Sequence, residues 1–373
     1  MSTDKHGELL DKLITAGKQS IRRQADSCSV SFCQMSWKKW LLVCFLVPGI
    51  ALMIYLGHNP MTKPWHHASM QREAQRYPTA KRPHADSPNT EEDPGLYHVA
   101  YPRNYKFIID QPGICEERKP YVVIIVPVPP QDFNARNGIR NTWAREKVVE
   151  GKEVLVLFIL GLHSADVEEA LQEQLRNESK QYKDLLQSNF QDSYRNLTIK
   201  TMMMMEWLSR DCQQASYAVK VDADVLLNVN NLINMLVSLN SGQRNYMTGL
   251  VWYASPVIRD PSNKFFLPHD VYPKYAYPPY PLGMCYIISL DLPQKFLLES
   301  KNIKPLYIED AYLGMCLEQL GIAPVKPPNM DQFVVKPPQY NRCYFSRLIA
   351  ALTDNTNQMT AFWTDIHSTS RPC

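Results

Sequence analysis

Two aspartates separated by one residue, Asp222 and Asp224, lie in the stretch SYAVKVDADVLLNV, residues 216–229, directly after an apolar segment. In an extended segment the side chains at positions i and i+2 point to the same side, so both carboxylates would converge on one ligand. Paired carboxylates with open coordination positions suit Mg²⁺ or Mn²⁺, whose other ligands are water and phosphate oxygens. The alternative is an ordinary surface turn, in which aspartate is common.

A second acidic pair, Glu309 and Asp310, stands at the start of a helix predicted from IEDAYLGMCLEQLGI, residues 308–322. One interpretation is a general base that takes a proton from an incoming hydroxyl group. The other is a favourable interaction with the helix dipole, which attracts acidic residues to the first turn. No GxGxxG motif or P-loop is present, which disfavours dinucleotide and ATP chemistry, and the nine histidines show no HxxxH zinc pattern.

Strands that alternate with helices must position these carboxylates. Apolar runs at 121–128, 153–161 and 217–221 predict strands covered on both faces. The stretches 164–184 and 196–212 predict helices, the first with Ser164 as its N-cap. This alternation predicts an α/β fold with a mostly parallel central sheet and flanking helices. Asp222 and Asp224 would then lie past the carboxyl end of a strand, where such sheets bind ligands.

The amino-terminal part of the chain predicts a membrane anchor. Residues 41–57 carry no charge, and Trp40 extends the run to about the minimum length of a membrane-spanning helix. Lys38 and Lys39 abut its amino-terminal end, so the positive-inside rule keeps the preceding residues in the cytosol. We therefore predict a cytosolic tail (1–39), a transmembrane signal anchor (40–57), a proline-rich stem (58–115) and a lumenal catalytic domain (116–373), a single-pass type II arrangement.

The composition agrees with this arrangement. Hydrophobic residues make up 45% of the 373, enough for a large core, and a net charge of +3 with scattered basic residues excludes a nucleic-acid stripe. Two sequons, Asn177-Glu-Ser and Asn196-Leu-Thr, predict N-glycosylation in the lumen. The lumenal part holds an even number of cysteines, which allows full disulfide pairing with 15 connectivities, namely Cys115, Cys212, Cys285, Cys316, Cys343 and Cys373.

Several ordered motifs together resemble the β1,3-galactosyltransferase and β1,3-N-acetylglucosaminyltransferase family of the Golgi. The resemblance covers about residues 118–345. It rests on RNGIRNTW (136–143), FILG (158–161), NFQDSYRNLTIKT (189–201), EWLSRDC (206–212), KVDADVLLNV (220–229), YPPYPLGMCY (277–286) and IEDAYLGMCLEQLGI (308–322).

The resemblance implies a GT-A type glycosyltransferase fold and inverting transfer of a sugar from a UDP-sugar to a 3-hydroxyl group, with Mn²⁺ as cofactor. Asp222 and Asp224 match the D-x-D motif that binds metal and UDP-sugar, with Asp224 as the direct ligand. Asp310 matches the catalytic base. Three more residues fall in motifs that line the UDP pocket of the family, namely Arg140, Asn189 and Lys200.

The chain also departs from the family pattern. Asn189 replaces a usual acidic residue, residues 281–285 replace a Cys-Ser-Gly-x-Gly stretch near the donor sugar, and residues 327–343 lack a histidine suited to metal ligation. Similarity of CLEQLGIAPVKPPN, residues 316–329, to the galactosyl branch favours UDP-galactose as donor and a terminal N-acetylhexosamine, GlcNAc, as acceptor. The alternatives are N-acetylglucosaminyl transfer and a catalytically impaired paralogue that acts as a chaperone or partner. A homodimer is left open.

Overall fold

The computed structural model describes residues 95, 97–163, 168–239, 243–369 and 373. The predicted tail 1–39 and anchor 40–57 lie outside these residues, as do Ser164 and the predicted stem up to residue 94. Within the described ranges, no helix has the length and apolar character needed to cross a membrane.

The strands of the described residues fall into a large and a small sheet. In chain order they are β1 (Phe107–Ile109), β2 (Val122–Pro127), β3 (Val148–Val149), β4 (Lys152–Leu162), β5 (Leu185–Gln191), β6 (Tyr217–Val221), β7 (Val225–Leu227), β8 (Met247–Trp252), β9 (Tyr280–Ser289), β10 (Phe333–Val334) and β11 (Ala350–Leu352).

The α-helices of the same residues flank these sheets. They are α1 (Ile114–Arg118), α2 (Phe133–Arg140), α3 (Glu168–Tyr182), α4 (Leu197–Asp211), α5 (Val229–Ser238), α6 (Leu292–Glu299), α7 (Glu309–Gln319), α8 (Arg342–Phe345) and α9 (Thr356–Ile366).

The large sheet has the order β1-β5-β4-β2-β6-β9-β8, and β3 pairs with β4. Strands β5, β4, β2 and β6 are parallel to one another, whereas β1, β9 and β8 pair antiparallel. The predicted α/β class is confirmed, but the predicted parallel arrangement holds only for the central strands of the large sheet. The sheet as a whole is mixed, because β1 runs antiparallel to β5, and β9 runs antiparallel to both of its neighbours, β6 and β8.

Burial explains why the central strands could be predicted. Strand β6 is buried at every position, and β2 at every position except its last residue, because apolar clusters cover both faces of the sheet. The strand predicted at 217–221 is confirmed. Strand β5, with the sequence LLQSNFQ, was not predicted, because its polar residues obscure the apolar pattern.

Helix α4 packs its row of methionines into one of these clusters. All four side chains, Met202 to Met205, are buried there. Flexible thioether side chains fill irregular gaps between a helix and a sheet, which accounts for this run as core packing.

Two disulfides join distant parts of the described chain. Cys115 pairs with Cys212, which ties α1 to the end of α4, and Cys343 pairs with Cys373. Cys285 and Cys316 are buried free thiols. Four of the six cysteines are therefore paired, not all six.

The small sheet, in the order β10-β11-β7, lies directly after the D-x-D turn. Strand β11 pairs antiparallel with β7, and the backbone N–H of Thr353 donates to the carbonyl of Asp224 at 2.8 Å. The carboxyl-terminal part of the chain thus fixes the backbone that carries this carboxylate.

Candidate active site

The segment Asp222–Asp224 is a turn between β6 and β7. The N–H of Val225 donates to the carbonyl of Asp222 at 3.2 Å, and the N–H of Asp222 donates to the carbonyl of Met284 on β9 at 3.0 Å. The extended geometry assumed from the spacing of the aspartates is therefore wrong. Both residues nevertheless follow the carboxyl end of a buried strand, as predicted.

A buried lysine, Lys220, lies at the centre of this edge of the sheet. Its Nζ forms ion pairs with Asp222 Oδ1 at 2.7 Å and Glu309 Oε1 at 3.0 Å, and it donates to the carbonyl of Gly283. Burial alone would lower the pKa of Lys220, but Asp222 and Glu309 raise it well above its ordinary value. Lys220 therefore remains positively charged and draws β6, β9 and α7 together.

Glu309, the first residue of α7, is held on both sides of its carboxylate. Oε1 faces Lys220, and Oε2 accepts hydrogen bonds from the hydroxyls of Thr201 and Tyr286, each at 3.3 Å. Its side chain is 7% exposed. A carboxylate this buried needs such partners, since an unpaired buried charge is strongly unfavourable. Glu309 therefore serves as a fixed negative charge beneath its neighbour, Asp310.

Asp310 accepts two backbone hydrogen bonds. Oδ2 accepts from the N–H of Gly283 at 2.8 Å, and Oδ1 accepts from the N–H of Ala311 at 2.8 Å. Burial and the charge of Glu309 raise the pKa of Asp310 to about 7, and these two hydrogen bonds and Lys220 limit the rise. A carboxyl group that titrates near neutral pH suits a general base.

Gly283 allows the carboxylates of α7 to approach β9. A Cβ atom at this position would lie 2.9 Å from Glu309 Oε1, 3.3 Å from Asp310 Oδ2 and 3.5 Å from Lys220 Nζ. Glycine inside a strand often marks such a close approach. The residue lies in the stretch that departs from the family pattern, so the departure keeps a glycine where this site requires one.

Lys200 belongs to a second buried ion pair at the same edge. Its Nζ lies 2.7 Å from Asp192 Oδ2 and donates to the carbonyl of Val128 at 3.2 Å, while Asp192 Oδ2 also accepts from the N–H of Gly161 at 2.8 Å. Burial, and secondarily the charge of Lys220, lowers the pKa of Lys200, although Asp192 opposes this shift. Lys200 therefore joins the ends of β2, β4 and β5 beside the main cluster.

Arg140, predicted for the UDP pocket, contacts a different part of the sheet. Its guanidinium bonds to Asp184, just before β5, and to Glu178 on α3, at 2.7–2.8 Å. Arg136, one helical turn earlier on α2, is also paired with Glu178. Asp184 precedes a strand whose carboxyl end faces the site, so Arg140 lies at the opposite end of the parallel strands and is not brought to the carboxylates.

Asn189 lies on the exposed side of β5. Its Oδ1 accepts from the N–H of Lys106 at 2.7 Å, and its own N–H donates to the carbonyl of Lys106 at 3.0 Å. These bonds hold the chain segment next to β1 at the edge of the sheet. They give Asn189 a structural role and do not connect it to the acidic cluster.

The two sequons differ in their surroundings. Asn177 is exposed on α3. In the other sequon, Asn196 is half-buried and its Nδ2 donates to the carbonyl of Gln191 at 2.8 Å, and the hydroxyl of the buried Thr198 donates to the carbonyl of Leu306 at 2.5 Å. The folded chain therefore presents Asn177 more openly than Asn196.

Sequence reasoning missed Lys220, Gly283 and Asp192. A lysine inside the apolar strand YAVKV was a usable signal, because a buried charge requires a partner. The glycine within β9 was another, because it indicates close backbone approach. Asp192 carried no such signal, since it follows a strand that was not predicted.

The carboxylates that could hold a metal are Asp222 and Asp224. In the described part of the chain, no group of three or more His, Cys, Asp or Glu side chains could hold a metal ion. Two carboxylates in one turn, one of them shared with Lys220, fit a divalent ion that takes its other ligands from water and phosphate oxygens. Two carboxylates do not fit a metal site in which the protein supplies every ligand.

The sequence is similar to a known enzyme family. The Galactosyltransferase family model matches residues 134–328. Beta-1,3-galactosyltransferase 2 of Homo sapiens is 35% identical over 271 residues, a match that spans 72% of this chain and only 63% of that relative. Beta-1,3-galactosyltransferase 1 of Mus musculus is 34% identical over 268 residues, 72% of this chain and 80% of the relative.

A solved structure entitled "WbbM bifunctional glycosytransferase apo structure" aligns with 67% of this chain and 50% of its own, at 9% identity and a TM-score of 0.38, too distant a likeness to support a conclusion. The sequence matches carry the assignment instead. Because the family model covers more than half of the chain and a relative above 30% identity is covered over most of its length, the chain belongs to the galactosyltransferase family.

Proposed function

We propose that this chain is an inverting β1,3-galactosyltransferase. It moves galactose from UDP-galactose to the 3-hydroxyl of a terminal N-acetylhexosamine, GlcNAc, on glycoproteins or glycolipids. Membership of the family and relatives named as beta-1,3-galactosyltransferases support this choice of reaction. The mixed α/β sheet, with its acidic cluster at the carboxyl ends of the parallel strands, supports assignment of the fold to the GT-A type.

The observation that carries the proposal is the arrangement of Asp310. It follows Glu309 at the start of α7, its carboxylate accepts two backbone N–H groups, and its pKa is raised to about 7. Asp310 would take the proton of the acceptor 3-hydroxyl as the oxygen attacks the anomeric carbon. A single displacement of this kind inverts the configuration at that carbon, and holding both reactants in line supplies much of the rate.

Asp222 and Asp224 would hold a divalent metal, Mn²⁺, on the donor side. When bound, such an ion neutralises the charge that develops on the diphosphate leaving group. Asp222 would contribute its carboxylate to the metal site while Oδ1 remains paired with Lys220 at 2.7 Å. This ion pair would orient the carboxylate before the donor binds. Lys200 lies at the same edge of the sheet, where its ammonium group is paired with Asp192 at 2.7 Å.

The proposal extends to location. Apolar residues 40–57 with Lys38 and Lys39 before them support a single-pass type II anchor in the Golgi membrane. Protease protection of tagged chain in sealed Golgi vesicles tests it. Digestion of a carboxyl-terminal tag in intact vesicles would contradict the lumenal orientation.

Donor profiling of the purified full chain tests the activity. We expect transfer of galactose from UDP-galactose to a GlcNAc-terminated acceptor in the presence of MnCl₂, and its loss in Asp224→Ala. The control is Asp291→Ala, which removes an aspartate paired with Lys295 at 2.6 Å near the opposite end of the sheet. Preference for UDP-GlcNAc would favour the N-acetylglucosaminyl alternative. Absence of transfer from either donor would refute the proposal and favour the chaperone alternative.

A further inference from the structure

The ammonium group of Lys220 connects the two sides of the proposed reaction. On one side it pairs with Asp222, and on the other it contacts Glu309 and the carbonyl of Gly283. We propose, on the basis of the transferase function above, that Lys220 is a positioning residue that fixes the donor-side carboxylate Asp222 relative to the base Asp310.

The connection to Asp310 runs through one peptide unit. The carbonyl of Gly283 accepts from Lys220, and the N–H of the same residue donates to Asp310 Oδ2 at 2.8 Å. Glu309 supplies a parallel link, because it precedes Asp310 on α7 and its Oε1 lies 3.0 Å from Lys220 Nζ. Displacement of the ammonium group would therefore move both Gly283 and Glu309, the two residues that hold Asp310 in place.

Lysine suits this position because of its donors. An ammonium group has three N–H donors and no acceptor. Lys220 has three partners around it, namely Asp222 Oδ1, Glu309 Oε1 and the carbonyl of Gly283. Its side chain is 7% exposed, so solvent cannot readily substitute for any of them. Removing the ammonium group leaves these acceptors without the donor that brings them together.

The charge of Lys220 also provides a readout that a purely structural lysine would not. Asp310 is faced by Glu309, Lys220, Tyr280 and Tyr286. Lys220 favours the ionised form of Asp310 and so lowers its pKa, whereas Glu309 raises it. Loss of Lys220 should therefore raise the pKa of Asp310 and move the acidic limb of the rate profile to higher pH.

The test is Lys220→Met in the full chain, assayed with UDP-galactose, MnCl₂ and a GlcNAc-terminated acceptor between pH 5 and 9. We expect kcat to fall about 100-fold, the size of effect that follows misplacement of a reacting group, with a smaller change in KM for the donor. We also expect the acidic limb to move to higher pH. The control Lys295→Met, which removes the surface partner of Asp291, should leave both unchanged. A folded Lys220→Met with unchanged kcat, or with an unmoved limb, would overturn the proposal.

Lys220→Met could fail to fold, because Glu309 would be buried without its cation. The double substitution Lys220→Met with Glu309→Gln removes both charges of that pair and is compared with Glu309→Gln alone. We expect the double variant to fold yet to have a lower kcat than Glu309→Gln, because Asp222 and Gly283 have still lost their donor. Equal kcat values would show that Lys220 only balances charge, and would overturn the proposal.

A measurement without substrate separates this inference from the proposed function. Titration of the Asp310 carboxyl by ¹³C NMR in the full chain labelled at aspartate reports its pKa directly. If the wild-type chain transfers no sugar, the proposed function fails. The positioning role still holds if Lys220→Met or the double variant raises the pKa of Asp310 relative to its parent, and fails if it does not.

Discussion

The pKa of Asp310 makes the proposed reaction strongly dependent on pH near neutrality. A base acts only when ionised, so activity follows the deprotonated fraction of Asp310. With a pKa of about 7, that fraction is about 9% at pH 6 and about 91% at pH 8 by simple titration. We therefore expect kcat/KM for the acceptor to rise about tenfold over these two pH units.

The perturbation is Glu309→Gln, which removes the adjacent negative charge. Burial raises the pKa of Asp310 most, and the charge of Glu309 adds to it. Without that charge the ionised form is easier to reach, so the acidic limb should move to lower pH, and activity at pH 6 should rise relative to activity at pH 8. Glutamine keeps a side-chain oxygen that can accept from Thr201 and Tyr286.

The assay is radiolabelled galactose transfer at subsaturating acceptor from pH 5 to 9. Glu318→Gln is the matched control, because Glu318 is exposed on the same helix and pairs with Lys274 at the surface. The acidic limb of the rate profile of Glu318→Gln should coincide with that of the wild type. A limb that stays in place in Glu309→Gln, or that moves to higher pH, would refute the reasoning that this charge sets the pKa of the base.

Three further predictions concern packing, stability and modification. Gly283→Ala should destabilise the chain by about 1–3 kcal/mol through overpacking against Glu309, as measured by urea unfolding, and an unchanged midpoint would contradict the close approach. Arg136→Met should lower the free energy of unfolding by about 1–3 kcal/mol, because Glu178 loses two buried hydrogen bonds but keeps Arg140 as a cation, and a loss below about 1 kcal/mol would indicate that Arg140 and solvent replace those bonds. When the chain passes through a secretory pathway, Asn177→Gln should remove one glycan and increase electrophoretic mobility relative to the wild type. If the variant and the wild type migrate alike before glycosidase treatment as well as after it, Asn177 is not glycosylated.

Local patterns in the sequence predicted the central elements well. The strands near 121, 153 and 217 are predominantly apolar runs, and burial on both faces of a sheet leaves that pattern directly in the sequence. Strand β9 runs antiparallel to its neighbours β6 and β8, and this direction depends on how a long connection returns to the sheet. No local pattern encodes it, so the sheet is more mixed than predicted.

The acidic residues of the candidate site could be predicted from the sequence, but Lys220, the cation that connects them, could not. Asp222 and Asp310 could be recognised from their places at the end of a strand and the start of a helix. Their connection through Lys220 and Gly283 depends on contacts between residues far apart in the chain. The prediction for Arg140 illustrates the reverse case, since a motif residue expected at the UDP pocket is paired with Asp184 at the other end of the strands.

The three acceptors around Lys220 are synthesised at different times. Gly283 is separated from Lys220 by 63 positions, and Glu309 emerges later still. A ribosome adding about 5–20 residues per second needs roughly 3–13 s to reach Gly283, and throughout that interval the ammonium group has no compensating carbonyl or α7 carboxylate. The nascent sheet therefore gains little by closing early, since Lys220 would be buried with Asp222 in place and its other two acceptors missing. A polypeptide truncated before α7 would retain an unstable centre and become a substrate for cellular quality control.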